Sequence, residues 1–138
     1  MGTITPAVKQ ITSGLRFPEG PVAMPDGSVI LVEIQRQTLS RVTPDGKIHV
    51  IAALGGGPNG AAMGPGGKIY VTNNGGFKFA ERPGRLHPVV QADDYTGGSI
   101  QIVDPETARF ETLYDRCDGR RLCGPNDLVF DGAGGFWF

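Results

Sequence analysis

The chain has 138 residues, of which 22 are glycine and 11 proline, with 13 basic against 14 acidic side chains. That length suits one domain, and a balanced charge without runs of one sign argues against a nucleic-acid or membrane-surface footprint. Residues 1–10 lack the apolar stretch of a signal peptide and no later segment reaches the length of an apolar span, so a cytoplasmic protein with neither membrane nor nucleic-acid partners is expected.

In chain order, residues 8–17 align without a gap with residues 48–57, which read as an outer strand. Residues 1–17 are therefore expected to supply an outer strand to a closing unit. Pro18-Glu19-Gly20 then opens a stretch that returns at Pro58-Asn59-Gly60 and again at Pro125-Asn126-Asp127. Each copy continues with a short apolar run, a turn at Asp26-Gly27, Gly66-Gly67 or Ala133-Gly134, and a second apolar run. The second runs, Val29-Ile30-Leu31, Ile69-Tyr70-Val71 and Phe136-Trp137-Phe138, are apolar at consecutive positions, as in a strand covered on both faces. Residues 29–34 and 69–72 are expected to be adjacent buried strands of consecutive units, and the three closing aromatics to be core.

Two further strands follow in each unit. Residues 38–42 and 47–53 flank Thr43-Pro44-Asp45-Gly46, and residues 99–103 and 109–114 flank Asp104-Pro105-Glu106-Thr107. Their alternation is nearer period two, as for strands with one wet face. Four strands per unit, and 40 residues from Pro18 to Pro58, fit a propeller blade of about 40–45 residues. Pro58 to Pro125 is 67 residues, the excess falling in an insertion loop at 74–97.

The fold class expected is thus all-β, a β-propeller of which roughly two and a half four-stranded blades are present. The boundaries are 18–57 for the first blade, 58–124 for the second with its insertion, and 125–138 for the start of a third. The chain is expected to be an N-terminal portion that stops inside its third repeat, with apolar faces left open. His49, in a strand-like run, and His87, in the irregular insertion, are expected to have no special role. Cys117 and Cys123 are expected to be free thiols, a loop disulfide being the alternative.

Leu15-Arg16-Phe17-Pro18-Glu19-Gly20-Pro21-Val22, Tyr95-Thr96-Gly97-Gly98-Ser99-Ile100 and Leu122-Cys123-Gly124-Pro125-Asn126-Asp127-Leu128-Val129-Phe130-Asp131 resemble the SMP-30/gluconolactonase/LRE-like family. The resemblance runs over essentially the whole chain and is weaker from Phe77 to Asp94. It implies a six-bladed propeller that hydrolyses lactones or related esters around one divalent ion on the central axis. By that resemblance Glu19 matches the first-blade carboxylate ligand and Asn126 the third-blade asparagine, which holds metal in some relatives and faces substrate in others. The family's remaining ligands, an Asn and an Asp from the fourth and fifth blades, and the general base are expected beyond Phe138.

The residues themselves agree with this. Each Pro-Glu/Asn anchor precedes the first strand of a repeat, and innermost propeller strands line the axis, so residues at one repeat position converge there. Carboxylate and amide oxygens are hard donors, suited first to Ca²⁺, with Mg²⁺, Mn²⁺ and Zn²⁺ as alternatives. Asn59 is the second-blade equivalent and a substrate-contact candidate, although its glycine neighbours also suit a plain turn. Asn74 and Asp127 are further candidates for touching substrate, and Asp127 has the alternative of capping its own turn. The expected function is metal-dependent hydrolysis of a small-molecule lactone or ester, with the oligomeric state left open. A non-catalytic binding propeller and a metal-free enzyme of the strictosidine synthase-like group are the competing readings, since fold alone does not give function.

Overall fold

The computed structural model describes residues 8–138. Turn chemistry sets the first sheet. Strands β1 (Pro18–Ala23), β2 (Val29–Glu33), β3 (Thr38–Val42) and β4 (Ile48–Ala53) pair antiparallel in sequence order. Gly27 takes φ +80° between β1 and β2, a conformation glycine enters without a Cβ clash. Asp26 braces the same turn by accepting from the Ser28 N–H at 3.1 Å and the Ser28 hydroxyl at 2.6 Å.

The second sheet repeats this order with an interruption. It contains β5 (Pro58–Met63) and, after a 3-10 turn at Pro65–Gly67, β6 (Ile69–Asn73). Strands β7 (Phe77–Arg82) and β8 (Arg85–Gln91) then pair only with each other, before β9 (Ser99–Val103) and β10 (Phe110–Tyr114) complete the order β10-β9-β6-β5. The register Val29↔Val42 in the first sheet is answered by Ile69↔Val103 in the second.

The insertion at 74–97 therefore carries an ordered hairpin, where the sequence suggested a loop. Pro83-Gly84 turns it, with Gly84 at φ +75°, and His87 lies in β8 opposite Ala80. A second unanticipated ribbon, β11 (Arg116–Cys117) with β12 (Arg120–Arg121), is closed by Asp118 and Gly119 at φ 48° and 77°. Positive φ at both positions is the tight hairpin turn that Asp-Gly favours. The chain then forms β13 (Val129–Phe130) and β14 (Phe136–Trp137), which pair antiparallel.

The core lies between the two four-stranded sheets. Ile30, Val32 and Leu39 from the first sheet meet Ala61, Ile69, Val71 and Val103 from the second. Residues 30–33 of β2 are buried without a break, as are residues 71–73 of β6, which is why those runs lack alternation. Each such aliphatic side chain contributes about 1.5–3 kcal/mol when taken out of water.

One expectation needs correcting here. Phe136 is half-buried, but Trp137 is 73% exposed and Phe138 56%, so the three are not a core run. The reading assumed neighbours on both faces. Here Phe136 packs on Tyr70 and Phe130, each at 5.5 Å, and its strand β14 pairs with β13 alone among the described residues. Residues 8–15 carry no strand, and the rest of the outer strand expected over 1–17 and preceding β1 lies in part outside the described residues.

Cys117 and Cys123 are both free and exposed. Cys117 pairs with Arg120 and the Leu122 N–H bonds the Asp115 carbonyl, which leaves Cys123 three ladder steps from Cys117. That is about 10 Å along the ribbon, beyond the reach of a disulfide. No helix among the described residues is long and apolar enough to cross a membrane.

Candidate functional site

The three anchors lie side by side because two glycines let them. A Cβ on Gly20 would sit 2.4 Å from the Ala61 nitrogen and 2.8 Å from the Gly60 Cα. One on Gly60 would sit 2.6 Å from Asp127 Oδ1, 2.7 Å from Thr72 Oγ1 and 2.8 Å from the Asn126 carbonyl oxygen. The first anchor thus touches the second, and the second touches the third, through backbone contacts no side chain would permit. The Thr72 hydroxyl then donates to the Asn126 carbonyl at 2.7 Å.

Side chains at equivalent repeat positions meet across this seam. The Asn59 carboxamide nitrogen donates to Asn126 Oδ1, joining residues far apart in sequence. Together with Asn74 they border a cleft of about 390 Å³ whose other walls include Phe77 and Gln91 from the hairpin, Tyr95, and Cys123. None of the described residues lining it is charged.

Asn74 is held firmly. Its N–H bonds the Gly57 carbonyl at 2.8 Å, its Oδ1 accepts from the Gly76 N–H at 2.8 Å, and the residue is 5% exposed. Because Oδ1 is fixed on Gly76, the amide orientation is set, and Nδ2 is left buried with no hydrogen-bond partner. Buried orphan donors are rare in folded proteins, and this one belongs to a residue that borders the cleft.

The other two candidates lie apart from this cleft. Glu19 is exposed on β1 opposite Val32, one residue from the Gly20 contact with the second anchor. Asp127 is exposed, and its Oδ1 accepts from the Leu128 N–H at 2.9 Å, the turn-capping alternative. A larger cavity of about 490 Å³ lies between residues 15–18 and the hairpin tip. There the hairpin docks on the first anchor through Arg16 and Glu81 at 3.1 Å and the Phe17 and Phe79 rings at 5.3 Å. It contains none of the repeat asparagines.

Among the described residues no three His, Cys, Asp or Glu side chains gather into a metal cluster. The side-chain oxygen donors at the anchors are the carboxylates of Glu19 and Asp127 and the carboxamides of Asn59 and Asn126, a hard set that fits Ca²⁺ or Mg²⁺ in kind. The shifted carboxyls stand elsewhere, on turns. The Lys68 ammonium, with the N–H groups of Glu106 and Thr107, holds Asp104 well below the usual carboxylate range. Lys47 and Thr43 lower Asp45 to about 2, and Ser28 and Arg41 lower Asp26. These are structural ties rather than site chemistry.

Several contributors escaped the sequence reading: Gly20 and Gly60 as contact points, Thr72 as a tether, and Phe77, Gln91, Tyr95 and Cys123 as walls. The glycine shared by the first two anchors was the available signal. The walls come from segments outside the repeat register.

Residues 17–138 match the SMP-30/Gluconolactonase/LRE-like region. The chain is also similar to a gluconolactonase of Zymomonas mobilis subsp. mobilis (strain ATCC 31821 / ZM4 / CP4), 26% identical over 149 residues. That alignment covers 98% of this chain and 36% of the relative, so the chain spans about a third of that protein's length. With the match extending from the first anchor through the third, the chain belongs to the SMP-30/Gluconolactonase/LRE-like family.

Proposed function

We propose that the whole protein is a six-bladed propeller that hydrolyses a sugar lactone or related ester, and that these residues supply its first blades and part of its site. The convergence of three repeat-equivalent anchors, with Asn59 bonded to Asn126 across their seam, carries this reading. Family membership and the gluconolactonase relative support it. The neutral amide lining favours an uncharged, hydroxyl-bearing substrate, whose ring packs against the Phe77 and Tyr95 side chains while the asparagines bond its oxygens.

Glu19 and Asn126 are the proposed holders of a divalent ion, Ca²⁺ first. Such an ion, when bound, polarises a carbonyl and lowers the pKa of water. The chain's own contribution is to hold the anchors in register, orient the amides and border the cleft with aromatic walls. No residue described here is assigned as general base.

The test is to titrate Ca²⁺ into the chelator-stripped protein, in full-length form, while following hydrolysis of a panel of sugar lactones. Glu19→Gln keeps size and removes charge, so metal affinity and hydrolysis should fall together, the latter about 10²-fold. Hydrolysis without metal, or unchanged affinity in the variant, overturns the metal assignment. Lactone binding without turnover replaces the hydrolase with a binding propeller.

A further inference from the structure

We propose that Asn73 is a positioning residue that sets the shape of the amide-lined cleft by tying its two bordering loops to each other. Asn73 ends β6 and is 5% exposed. Its Oδ1 accepts from the Gly57 N–H at 2.8 Å and the Gly75 N–H at 3.0 Å. Its Nδ2 donates to the Gly55 carbonyl at 2.8 Å and to Gln101 Oε1 at 3.2 Å. Two donors and two acceptor positions are all a carboxamide offers, and every one is used.

The two loops it joins carry the cleft asparagines. Residues 55–57 are three consecutive glycines leading into Asn59, with Gly55 and Gly56 at φ 72° and 59°. Such a segment has no side chains with which to pack itself and the greatest freedom to lose, so an outside clamp must fix it. Gly75 directly follows Asn74. The clamp is also tight: a Cβ on Gly56 would lie 2.6 Å from Asn73 Oδ1.

The first sheet holds a simpler version of the device. Glu33 stands opposite Thr38 at the end of β2, as Asn73 stands opposite Ser99 at the end of β6. Glu33 is fully buried, accepting from the Arg16 N–H at 2.7 Å and the Ser40 hydroxyl at 2.7 Å. Ser40 and Gln101 are themselves equivalent, opposite Leu31 and Val71. In both sheets a buried polar residue closing the second strand, backed by one from the third, grips the segment before the anchor. Glu33 also meets the loop after its strand, through the Arg36 guanidinium at 3.4 Å, whereas Asn73 holds the main chain of its following loop at Gly75, directly beside Asn74.

The inference rests in part on the hydrolase reading, so its test has two arms. The first is amide hydrogen exchange on the whole chain for wild type, Asn73→Ala and Asn73→Asp. Asparagine to aspartate keeps both acceptor bonds and loses both donors. Exchange at Gly57 and Gly75 should quicken about tenfold or more in Asn73→Ala, should stay slow in Asn73→Asp, and should not change at β2 and β3 in either variant. Unchanged Gly57 and Gly75, faster exchange spread evenly over both sheets, or an aspartate variant that behaves like alanine would each overturn the proposal. If the alanine variant does not fold, the aspartate variant decides by whether Gly57 and Gly75 keep their protection. The second arm is lactone kinetics in the full-length protein, where KM should rise about tenfold in Asn73→Ala with a smaller change in kcat, and aspartate should restore part of it. A wild type that hydrolyses no lactone sinks the hydrolase reading and leaves the exchange result to decide on Asn73.

Discussion

Thr72 Oγ1 donates to the main-chain carbonyl of Asn126 at 2.7 Å, so the third anchor hangs from the second sheet by a side chain rather than by a strand ladder. Thr72 is fully buried in β6, and Val would fill nearly the same volume without the hydroxyl. Thr72→Val should therefore cost about 1 kcal/mol in urea unfolding, more if the carbonyl finds no other donor, while Thr72→Ser should retain most of the stability.

Asn126→Ala should behave in the opposite way. The Asn126 side chain is exposed and, among the described residues, bonds Asn59 alone, whereas its backbone is held by Thr72. In the full-length protein, lactone turnover should fall about tenfold or more while the melting temperature stays near the parent value. A large drop in melting temperature would make Asn126 a structural residue.

Adding one methyl at the seam should be costly in proportion to what it meets. Gly60→Ala drives a Cβ against Asp127, Thr72 and Asn126 and should lose about 1–3 kcal/mol. Gly20→Ala should lose more, because Gly20 also sits at φ +54° and its neighbour is main chain that cannot swing aside. Denaturant midpoints for the two variants test the order.

Acid should weaken the turns before the core. Asp26, Asp45 and Asp104 have folded-state pKa values below those of an unfolded chain, Asp45 at about 2. Lowered carboxylate values mean stabilisation that is complete above about pH 4 and is lost as pH falls toward and through about 2. Asp104→Asn should flatten that part of the stability profile, since its oxygen still accepts from the Glu106 and Thr107 N–H groups while the pairing with Lys68 is lost at every pH. A pH titration of urea midpoints from 6 to 2 measures it.

The repeat made the two four-stranded sheets legible, because Pro18, Pro58 and Pro125 fix the phase of everything up to the second strand. The hairpin at 77–91 stayed hidden since its residues answer to no repeat position, although Pro83-Gly84 between two β-rich runs was a turn signal. Asp118-Gly119 was a stronger one for the small ribbon. Asn59 and Asn126 at the cleft, and Glu19 apart from it, were candidates visible by register. Glu33, Asn73 and Gln101 were not, because a polar residue in a strand ordinarily faces water, and only packing reveals that these face inward.

Trp137, the single tryptophan of the chain, stands 73% exposed on β14 while Phe136 beside it packs on Tyr70. Its indole should emit like one in water and be open to quenching by small solutes such as acrylamide. Whatever comes to lie over that edge must displace this water, shift the emission to the blue and shield the ring. The molecule thus carries a built-in optical gauge on its two-stranded β13–β14 edge, readable without any label.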